Sequence, residues 1–267
     1  IWAGSTAAAT AGIATFSGFA IQGTAASNWA IQFAITSPAL NVTQSNLTLG
    51  FGTATKVLVT TQAAGFTNGV AFTTQPVAKL VDADNNVTNV GGGALSISVG
   101  TGSGGGTAAL SGTTSKPLTA SVADFTGAGL TLTGKADTYT LTYAYSGYTS
   151  ATQTVTLGFG AASKVVVTTG VAGFVNRAAF TTQPVAQIQD ASGNLVTSST
   201  ATVTVSINSG NVTGTTSVAA VGGIADWTTA NPPLSKNGLV GSKTLTFAST
   251  GLTSDTTQSF TLTHGVA

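Results

Sequence analysis

The residues of this chain that could perform acid–base or nucleophilic chemistry are few. Its single histidine is His264, and no pattern in the sequence places a serine and an aspartate beside it, as a Ser/His/Asp triad requires. All seven acidic residues are Asp, and Asp82 and Asp124 recur at equivalent positions as Asp190 and Asp226. Paired carboxylates for glycoside hydrolysis would belong to one site rather than to every repeat. We therefore predict no catalytic residue, no cofactor and no enzyme activity.

Hard oxygen ligands cluster in one short run of the chain. Asp82, Asp84 and Asn86 lie close together in sequence, and Ca²⁺ prefers carboxylate and amide oxygens. The equivalent run from Asp190 to Asn194 has fewer carboxylates, and neither run has the acidic final ligand of an EF-hand loop. Asp82, Asp84 and Asn86 are therefore weak calcium candidates, and a tight turn explains the same residues. A Cys-based metal site is impossible, because the chain has no cysteine, and no other metal site is predicted.

Exposed aromatic rings can stack on sugars, so the three tryptophans are candidates for carbohydrate binding. Trp2 and Trp227 align with apolar strand positions of the other repeats, which predicts core packing. Trp29 aligns with Tyr139 in one repeat and with Lys243 in another. We therefore expect Trp29 to be partly exposed, and it is an interaction candidate.

Two loops that differ in length between repeats are further interaction candidates. One spans residues 102–106 and includes Gly102 and Gly104, and the other spans residues 231–233 and includes Asn231 and Pro232. Binding loops vary in this way, but so do loops of a simple spacer. Four sequons would also permit N-glycosylation in a host with that machinery. Their asparagines are Asn41, Asn46, Asn86 and Asn211.

An internal repeat determines where all these residues lie. The run GTATKVLVTT from Gly52 reappears as GAASKVVVTT from Gly160, a shift of 108 positions. A repeat of this length matches one β-sandwich domain. We predict complete domains at residues 53–160 and 161–267, whereas residues 1–52 align with the second half of a repeat.

The residue pattern within each repeat is that of half-buried strands. Leu95, Ile97 and Val99 alternate with small polar residues, and Val203, Val205 and Ile207 do the same one repeat later. Glu and Met are missing, whereas Thr, Val, Gly and Ser are abundant, which disfavours helices. The fold class predicted is all-β, with tandem immunoglobulin-like antiparallel sandwiches of about seven strands each.

The composition excludes several kinds of partner. Charged residues make up 6% of the chain and the net charge is +1, so we expect no nucleic-acid partner. No run of 18 apolar residues predicts a membrane span, and no signal peptide is visible. Abundant Thr, Ser, Asn and Gly suit the surface of an exported protein.

Three runs of the chain resemble tandem bacterial immunoglobulin-like domains of large cell-surface proteins, a family that includes the stalk modules of invasin-like adhesins. They are the run from Gln75-Pro76 to Val87, its copy from Gln183-Pro184 to Leu195, and the run Asp137-Thr138-Tyr139-Thr140-Leu141. The resemblance covers the whole chain. It implies an extracellular, cell-surface location and a role without catalysis, and it leaves the exact role open.

The most specific hypothesis concerns residues 1–52, which contain the later strands of a sandwich without the earlier ones. Such a half would expose an apolar face and unpaired strand edges, and the simplest explanation is a fragment of a longer array. The alternative hypothesis is that strands of a neighbouring copy complete it and link copies into a filament. We expect a stalk, surface-layer or filament subunit that self-associates. The second candidate function is an adhesin or carbohydrate-binding module that contacts a glycan or surface receptor.

Overall fold

A computed structural model of the chain describes residues 2–3 and 6–265, and these residues form β-strands without a helix. The strands are rich in Thr and Val, whose branched side chains fit the pleated surface of a sheet. The predicted all-β fold with antiparallel sandwiches is therefore confirmed.

Within residues 2–3 and 6–52, the N-terminal segment forms six strands, which pair two by two. The ladders are β1 with β4, β2 with β3, and β5 with β6, all antiparallel. The strands are β1 (Trp2–Ala3), β2 (Ala9–Thr10), β3 (Ile13–Ala14), β4 (Ala20–Ile21), β5 (Ala26–Thr36) and β6 (Ala39–Leu49).

The middle sandwich comprises the next nine strands. These are β7 (Lys56–Thr61), β8 (Val77–Val81), β9 (Ala94–Val99), β10 (Ala108–Ser111), β11 (Ser115–Pro117), β12 (Val122–Asp124), β13 (Thr131–Gly134), β14 (Asp137–Ala144) and β15 (Ala151–Leu157). One sheet has the order β12-β8-β7 and the other β11-β9-β14-β15, while β10 and β13 form a separate ribbon.

The last sandwich repeats this arrangement. Its strands are β16 (Ala162–Thr169), β17 (Val185–Asp190), β18 (Thr202–Ile207), β19 (Asn211–Thr213), β20 (Ser217–Ala219), β21 (Ile224–Asp226), β22 (Ser235–Asn237), β23 (Gly241–Ala248) and β24 (Asp255–Leu262). The sheets have the orders β16-β17-β21 and β20-β18-β23-β24, with a ribbon of β19 and β22. The two main sheets of each sandwich hold seven strands and the ribbon adds two, so each sandwich has nine strands where about seven were predicted.

Each sandwich has its own hydrophobic core between its sheets. The middle core includes Leu95, Leu141 and Tyr143, and the last core includes Val203 and Trp227. Alternate residues of each strand face inward, so the period-two pattern of β9 and β18 appears directly as alternating burial. The core prediction for Trp227 is confirmed, whereas the side chain of Trp2 lies outside those that the structure describes.

The N-terminal segment has counterparts of β10 to β15 but none of β7 to β9 among the described residues. In the complete sandwiches β14 pairs with β9, and β23 pairs with β18. The corresponding strand β5 pairs only with β6 in the part of the chain that is described. Its other edge is therefore open.

Candidate functional site

The main polar site of the molecule is the junction between the middle and last sandwiches, and Asp190 lies at its centre. The Asp190 Oδ2 atom accepts hydrogen bonds from the Gly160 backbone N–H at 2.8 Å, the Asn68 Nδ2 at 2.7 Å and the Asn194 Nδ2 at 2.9 Å. Its Oδ1 atom accepts from the Asn194 backbone N–H at 2.9 Å. Only 1% of Asp190 is exposed, so these four donors replace the water that a carboxylate normally binds.

The environment keeps the Asp190 carboxyl ionised. Burial alone raises its pKa, but the hydrogen bonds from Gly160, Asn68 and Asn194 outweigh burial and hold the pKa well below the ordinary value. Hydrogen bonds to a charged group are stronger than those between neutral groups. The linker, the middle sandwich and the last sandwich therefore all bind one buried anion.

Asn194 completes the junction by pairing with the backbone of the middle sandwich. Its Oδ1 accepts from the Ala136 N–H at 2.8 Å, and its Nδ2 donates to the Gly134 carbonyl at 2.9 Å. The Gly134 N–H in turn donates to the Asn68 Oδ1 at 2.9 Å. The amide of Asn194 thus pairs with the N–H of Ala136 and the carbonyl of Gly134. A neighbouring β-strand would pair with a backbone donor and acceptor in the same way.

The same arrangement joins the N-terminal segment to the middle sandwich. Asp82 Oδ2 accepts from the Gly52 N–H at 2.7 Å, and Asn86 bonds to the Ala25 N–H at 2.6 Å and the Gly23 carbonyl at 2.9 Å. The Gly52 hydrogen bond, followed by that of Asn86, lowers the pKa of Asp82. Asp-x₃-Asn is therefore a junction motif that occurs at both joints, with Asn86 and Asn194 in the same role.

Glycine is required in the linker because the backbones approach closely. A Cβ on Gly160 would lie 2.7 Å from the Asn68 carbonyl oxygen, a distance that van der Waals radii forbid. A Cβ on Gly52, the equivalent residue in the linker before the middle sandwich, would lie 3.3 Å from the Asp82 Oδ2. Beside Gly160, Phe159 packs against the core of the last sandwich. The linker at residues 158–160 is thus fixed by packing as well as by hydrogen bonds.

Of the weak calcium candidates, Asp82 and Asn86 form this joint, whereas the Asp84 side chain is exposed and only its backbone N–H donates to Asp82. Both carboxylate oxygens of Asp82 accept two hydrogen bonds each, from Gly52, Asp84 and Asn86. The described residues contain no group of three His, Cys, Asp or Glu side chains that could hold a metal ion. The predicted tight turn is present, with Asn85 at a φ of 68°.

The loop at residues 102–106 folds around a carboxylate of its own sandwich. The Gly104 and Gly106 N–H groups and the Ser103 hydroxyl donate to Asp137 at 3.0–3.1 Å. The Thr138 N–H, followed by those of Gly104 and Gly106, lowers the Asp137 pKa. Gly102 also packs against this carboxylate. The glycines therefore let the backbone surround Asp137, and a ligand-binding role for Gly102 and Gly104 stays a prediction.

The second candidate loop is exposed at its side chains and fixed at its backbone. Asn231 and Pro232 are exposed, while the Pro232 carbonyl accepts from the Thr215 N–H at 2.9 Å. Gly214 packs against the Pro233 carbonyl. The two candidate loops belong to different sandwiches, since residues 102–106 lie between β9 and β10 and residues 231–233 between β21 and β22.

Trp29 lies on the apolar face of the β5–β6 hairpin and is 42% exposed. The equivalent Tyr139 and Lys243 are 1% and 7% exposed. The predicted partial exposure of Trp29 is confirmed, but its stated reason is wrong, because Lys243 is buried. Trp29 is exposed because no opposite sheet covers the hairpin among the described residues.

Other members of this open face are also core positions elsewhere. Phe33 corresponds to the buried Tyr143, and across the hairpin it is paired with Val42. Ile35 and Leu40 are the next pair along the face, and both are exposed. A shallow cavity of about 290 Å³ lies beside the face and is lined by Phe16, Phe19 and residues 30–34.

Two buried lysines were not identified from the sequence. Lys236, which replaces the buried Leu132, is fully buried and donates through its Nζ to the Asn237 carbonyl. Burial, followed by the charge of Lys243, lowers the pKa of Lys236. The Lys243 Nζ donates to the Ser209 hydroxyl at 2.7 Å. The sequence could have indicated that both lysines are buried, because they occupy the alternate strand positions that face inward.

No family model and no curated protein matches this chain. The E. coli adhesin FdeC is similar in structure at 16% identity, over 85% of this chain and 69% of that chain, with a TM-score of 0.36. InvD of Yersinia pseudotuberculosis is similar at 14% identity over 89% and 78%, with a TM-score of 0.30. A β-glycosidase of Bacteroides vulgatus is similar at 12% identity over 79% of this chain, which spans 25% of that enzyme, with a TM-score of 0.31. Likenesses this weak carry no argument about function.

The remaining candidate residues fall into simple roles. Asp124 and Asp226 each accept a hydrogen bond at 2.8 Å from the backbone N–H two residues later, so both cap turns. His264 is exposed. Among the described residues, no helix has the length and apolarity that crossing a membrane requires.

The sequon asparagines differ in accessibility. Asn41, Asn46 and Asn211 are exposed. Asn86 is buried, and its amide is held by Gly23, Ala25 and Asp82. In the folded chain Asn86 is therefore closed to a glycosylating enzyme, which corrects the prediction for this residue.

Proposed function

We propose that this chain is an extracellular structural protein whose sandwiches form a stiff array, as in a stalk, a surface layer or a filament. The observation that carries the proposal is the Asp-x₃-Asn junction, which occurs at both joints. In each, the Asp carboxylate accepts from the linker glycine and the Asn amide pairs with the backbone of the preceding unit. A flexible linker needs no buried carboxylate, whereas a spacer gains from a fixed angle between successive domains.

The extracellular location is supported by composition and by the resemblance to bacterial immunoglobulin-like repeats. The surface is dominated by small polar residues, and the charged fraction is only 6%. Stability comes from two separate cores rather than from disulfides, since the chain has no cysteine.

The finer proposal is that the N-terminal segment is completed by strands of a neighbouring copy. Its open edge is that of β5, and its open face carries Trp29, Phe33 and Val42. A strand of the β9 type, apolar at alternate positions, would fit antiparallel beside β5 as β9 lies beside β14. Copies joined in this way would form a linear assembly.

The stiffness of the array is tested by measuring the angle between sandwiches in the full chain. Ser98 and Ser206 are equivalent exposed positions in β9 and β18, and no native cysteine interferes with labelling. Ser98→Cys and Ser206→Cys allow spin labels to report a distance distribution across the junction. We expect one narrow distance.

Asp190→Ala is the test variant and Asp226→Ala is its matched control, since Asp226 caps a turn of the same sandwich outside the junction. Asp190→Ala leaves buried donors unpaired, at a cost of about 1–3 kcal/mol, so the distance distribution broadens. Asp226→Ala leaves it narrow. A broad distribution in the unsubstituted chain would contradict the proposed function.

A further inference from the structure

The end of the last sandwich that lies away from the middle sandwich has the same features as the receiving side of the junction. The Asn176 Oδ1 accepts from the Gly238 N–H at 3.1 Å, as the Asn68 Oδ1 accepts from the Gly134 N–H at 2.9 Å. A Cβ on Gly265 would lie 2.8 Å from the Asn176 carbonyl oxygen, which matches the close approach of Gly160 to Asn68. Linker and receiving surface already have the geometry of the occupied junction.

At the junction between the middle and last sandwiches, three polar groups of the middle sandwich bind the last sandwich. Their equivalents at the far end of the last sandwich have no hydrogen-bond partner among the described residues. Within residues 6–265, no hydrogen bond engages the Asn176 Nδ2, the Gly238 carbonyl or the Val240 N–H. Their counterparts Asn68, Gly134 and Ala136 bind Asp190 and Asn194. Asn68 is only 7% exposed, whereas Asn176 is half-buried.

The rim of this end is apolar where the rim of the middle sandwich is polar. Leu239 is 85% exposed and stands where the middle sandwich has Lys135. Val175 and Val240 are also exposed, and Val175 stands where the middle sandwich has Thr67. Exposed apolar residues that surround unpaired polar groups are typical of a surface that another domain covers.

We infer that this surface, formed by Asn176, Gly238, Val240 and Gly265, is a docking socket for the Asp-x₃-Asn turn of another sandwich of the same type, joined through Gly265. The incoming carboxylate accepts from the Gly265 N–H and the Asn176 Nδ2, as Asp190 does from Gly160 and Asn68. The incoming amide pairs with the Gly238 carbonyl and the Val240 N–H, as Asn194 does with Gly134 and Ala136.

The socket selects this occupant over a simple anion. A carboxylate or phosphate can accept from Asn176 and Gly265 but cannot donate to the Gly238 carbonyl. An asparagine side chain supplies donor and acceptor together. A covalent linker is also needed, because a few hydrogen bonds on a small surface do not offset the cost of association between free molecules.

The inference deepens the proposed scaffold function and rests on it. Its test appends a second copy of residues 161–267 directly after Gly265 of the full chain, which preserves the spacing from Gly160 to Ala161. Ser206→Cys in both copies reports the distance across the new junction, and the pair Ser98→Cys and Ser206→Cys reports the existing one. We expect the two distance distributions to coincide, each with one narrow peak.

Two variants probe the socket from its two sides. Asn176→Ala removes the receiving side, and Asp190→Asn in the appended copy removes the docking carboxylate while the last sandwich stays intact. Each is expected to abolish the narrow peak at the new junction only, while Asn68→Ala abolishes it at the existing junction only. The second variant keeps the test valid if Asn176→Ala unfolds its sandwich.

The two proposals can fail separately in this experiment. A broad distribution at the new junction beside a narrow one at the existing junction overturns the socket and leaves the scaffold function standing. Broad distributions at both junctions overturn both. A narrow new junction that neither variant loosens also overturns the socket, because the stated contacts would then not fix the angle.

Discussion

At the scale of single residues, Asp190 acts at the junction as an ionised group that is held by hydrogen-bond donors. Four N–H donors surround its carboxylate, and the charged form is favoured over the protonated form because of them. The Lys135 Nζ donates to the Gly193 carbonyl of the same turn at 3.2 Å. Junction stability should therefore depend on the ionisation of Asp190.

Acidification is predicted to loosen this junction. The pKa of Asp190 in the folded chain lies below the unfolded value of about 3.9, so its stabilising contribution is fully present above that pH. The contribution is lost as the pH falls through the folded-state pKa. Distances between labels at Ser98→Cys and Ser206→Cys should stay narrow from neutral pH to about pH 5 and broaden well below pH 4.

Asp190→Asn is the control for this pH profile. The junction of this variant should be loose already at neutral pH and should not loosen further on mild acidification. Asp82 and Asp137 also have lowered pKa values, and they are the same in the variant and in the unsubstituted chain. The prediction is wrong if the variant and the unsubstituted chain respond identically to pH.

At the scale of strands and linkers, steric fit decides whether the junction closes. Gly160→Ala places a methyl group against the Asn68 carbonyl, whereas a Cβ on Gly158 in the same linker would lie 3.7 Å from the Phe66 carbonyl oxygen, an ordinary van der Waals contact. We expect Gly160→Ala to broaden the label distances across the junction and Gly158→Ala to leave them unchanged. Thermal unfolding should show both cores intact in each variant. A narrow distribution in Gly160→Ala would contradict the steric argument.

The strands were predictable from the sequence because the residue patterns that define them involve positions close together in the chain. Alternation in β9 and β18 identifies an inward face, and Asn85 and Gly193 adopt the positive φ that a tight turn requires. The length of the repeat indicated a sandwich. These features depend on neighbours within a few residues of each other.

The junction was not predictable because its partners are distant in sequence. Asn68 and Asp190 lie 122 positions apart, and no local pattern marks Asn68 as a partner. The identical spacing of Asp82 to Asn86 and of Asp190 to Asn194 was visible, but a turn accounted for it. Lys243 misled the prediction because a buried lysine can keep its ammonium group bonded, here to Ser209.

At the scale of the whole molecule, the two ends differ in kind. The last sandwich ends in a surface shaped for one more turn, with Asn176 and Gly238 already in position. The N-terminal segment instead presents a core face, on which Trp29 and Phe33 lie uncovered. Burying apolar area of this kind provides about 25 cal/mol per Å². A partner that supplies complementary strands would thus gain far more at the N-terminal end than at the socket.

Self-association through this face is predicted to depend on one side of the β5–β6 hairpin. Val42 is 69% exposed on the apolar face, and Thr43 is exposed on the opposite face. Val42→Asp would bring a charge into the completed core and should abolish assembly, whereas Thr43→Asp should not. Deletion of residues 1–52 should also abolish assembly. Sedimentation velocity and electron microscopy of the full chain measure the effect.

Val42→Asp and Thr43→Asp together distinguish strand complementation from nonspecific association. Both substitutions add one negative charge to the same exposed strand, so a loss of assembly in both would indicate charge repulsion rather than completion of a core. Assembly that persists in Val42→Asp, or in a chain that begins at residue 53, would show that strand complementation does not link the copies. A loss confined to Val42→Asp and the deletion would place the contact on the face that also bears Trp29 and Phe33, because in the complete sandwiches the equivalents of those two residues are buried.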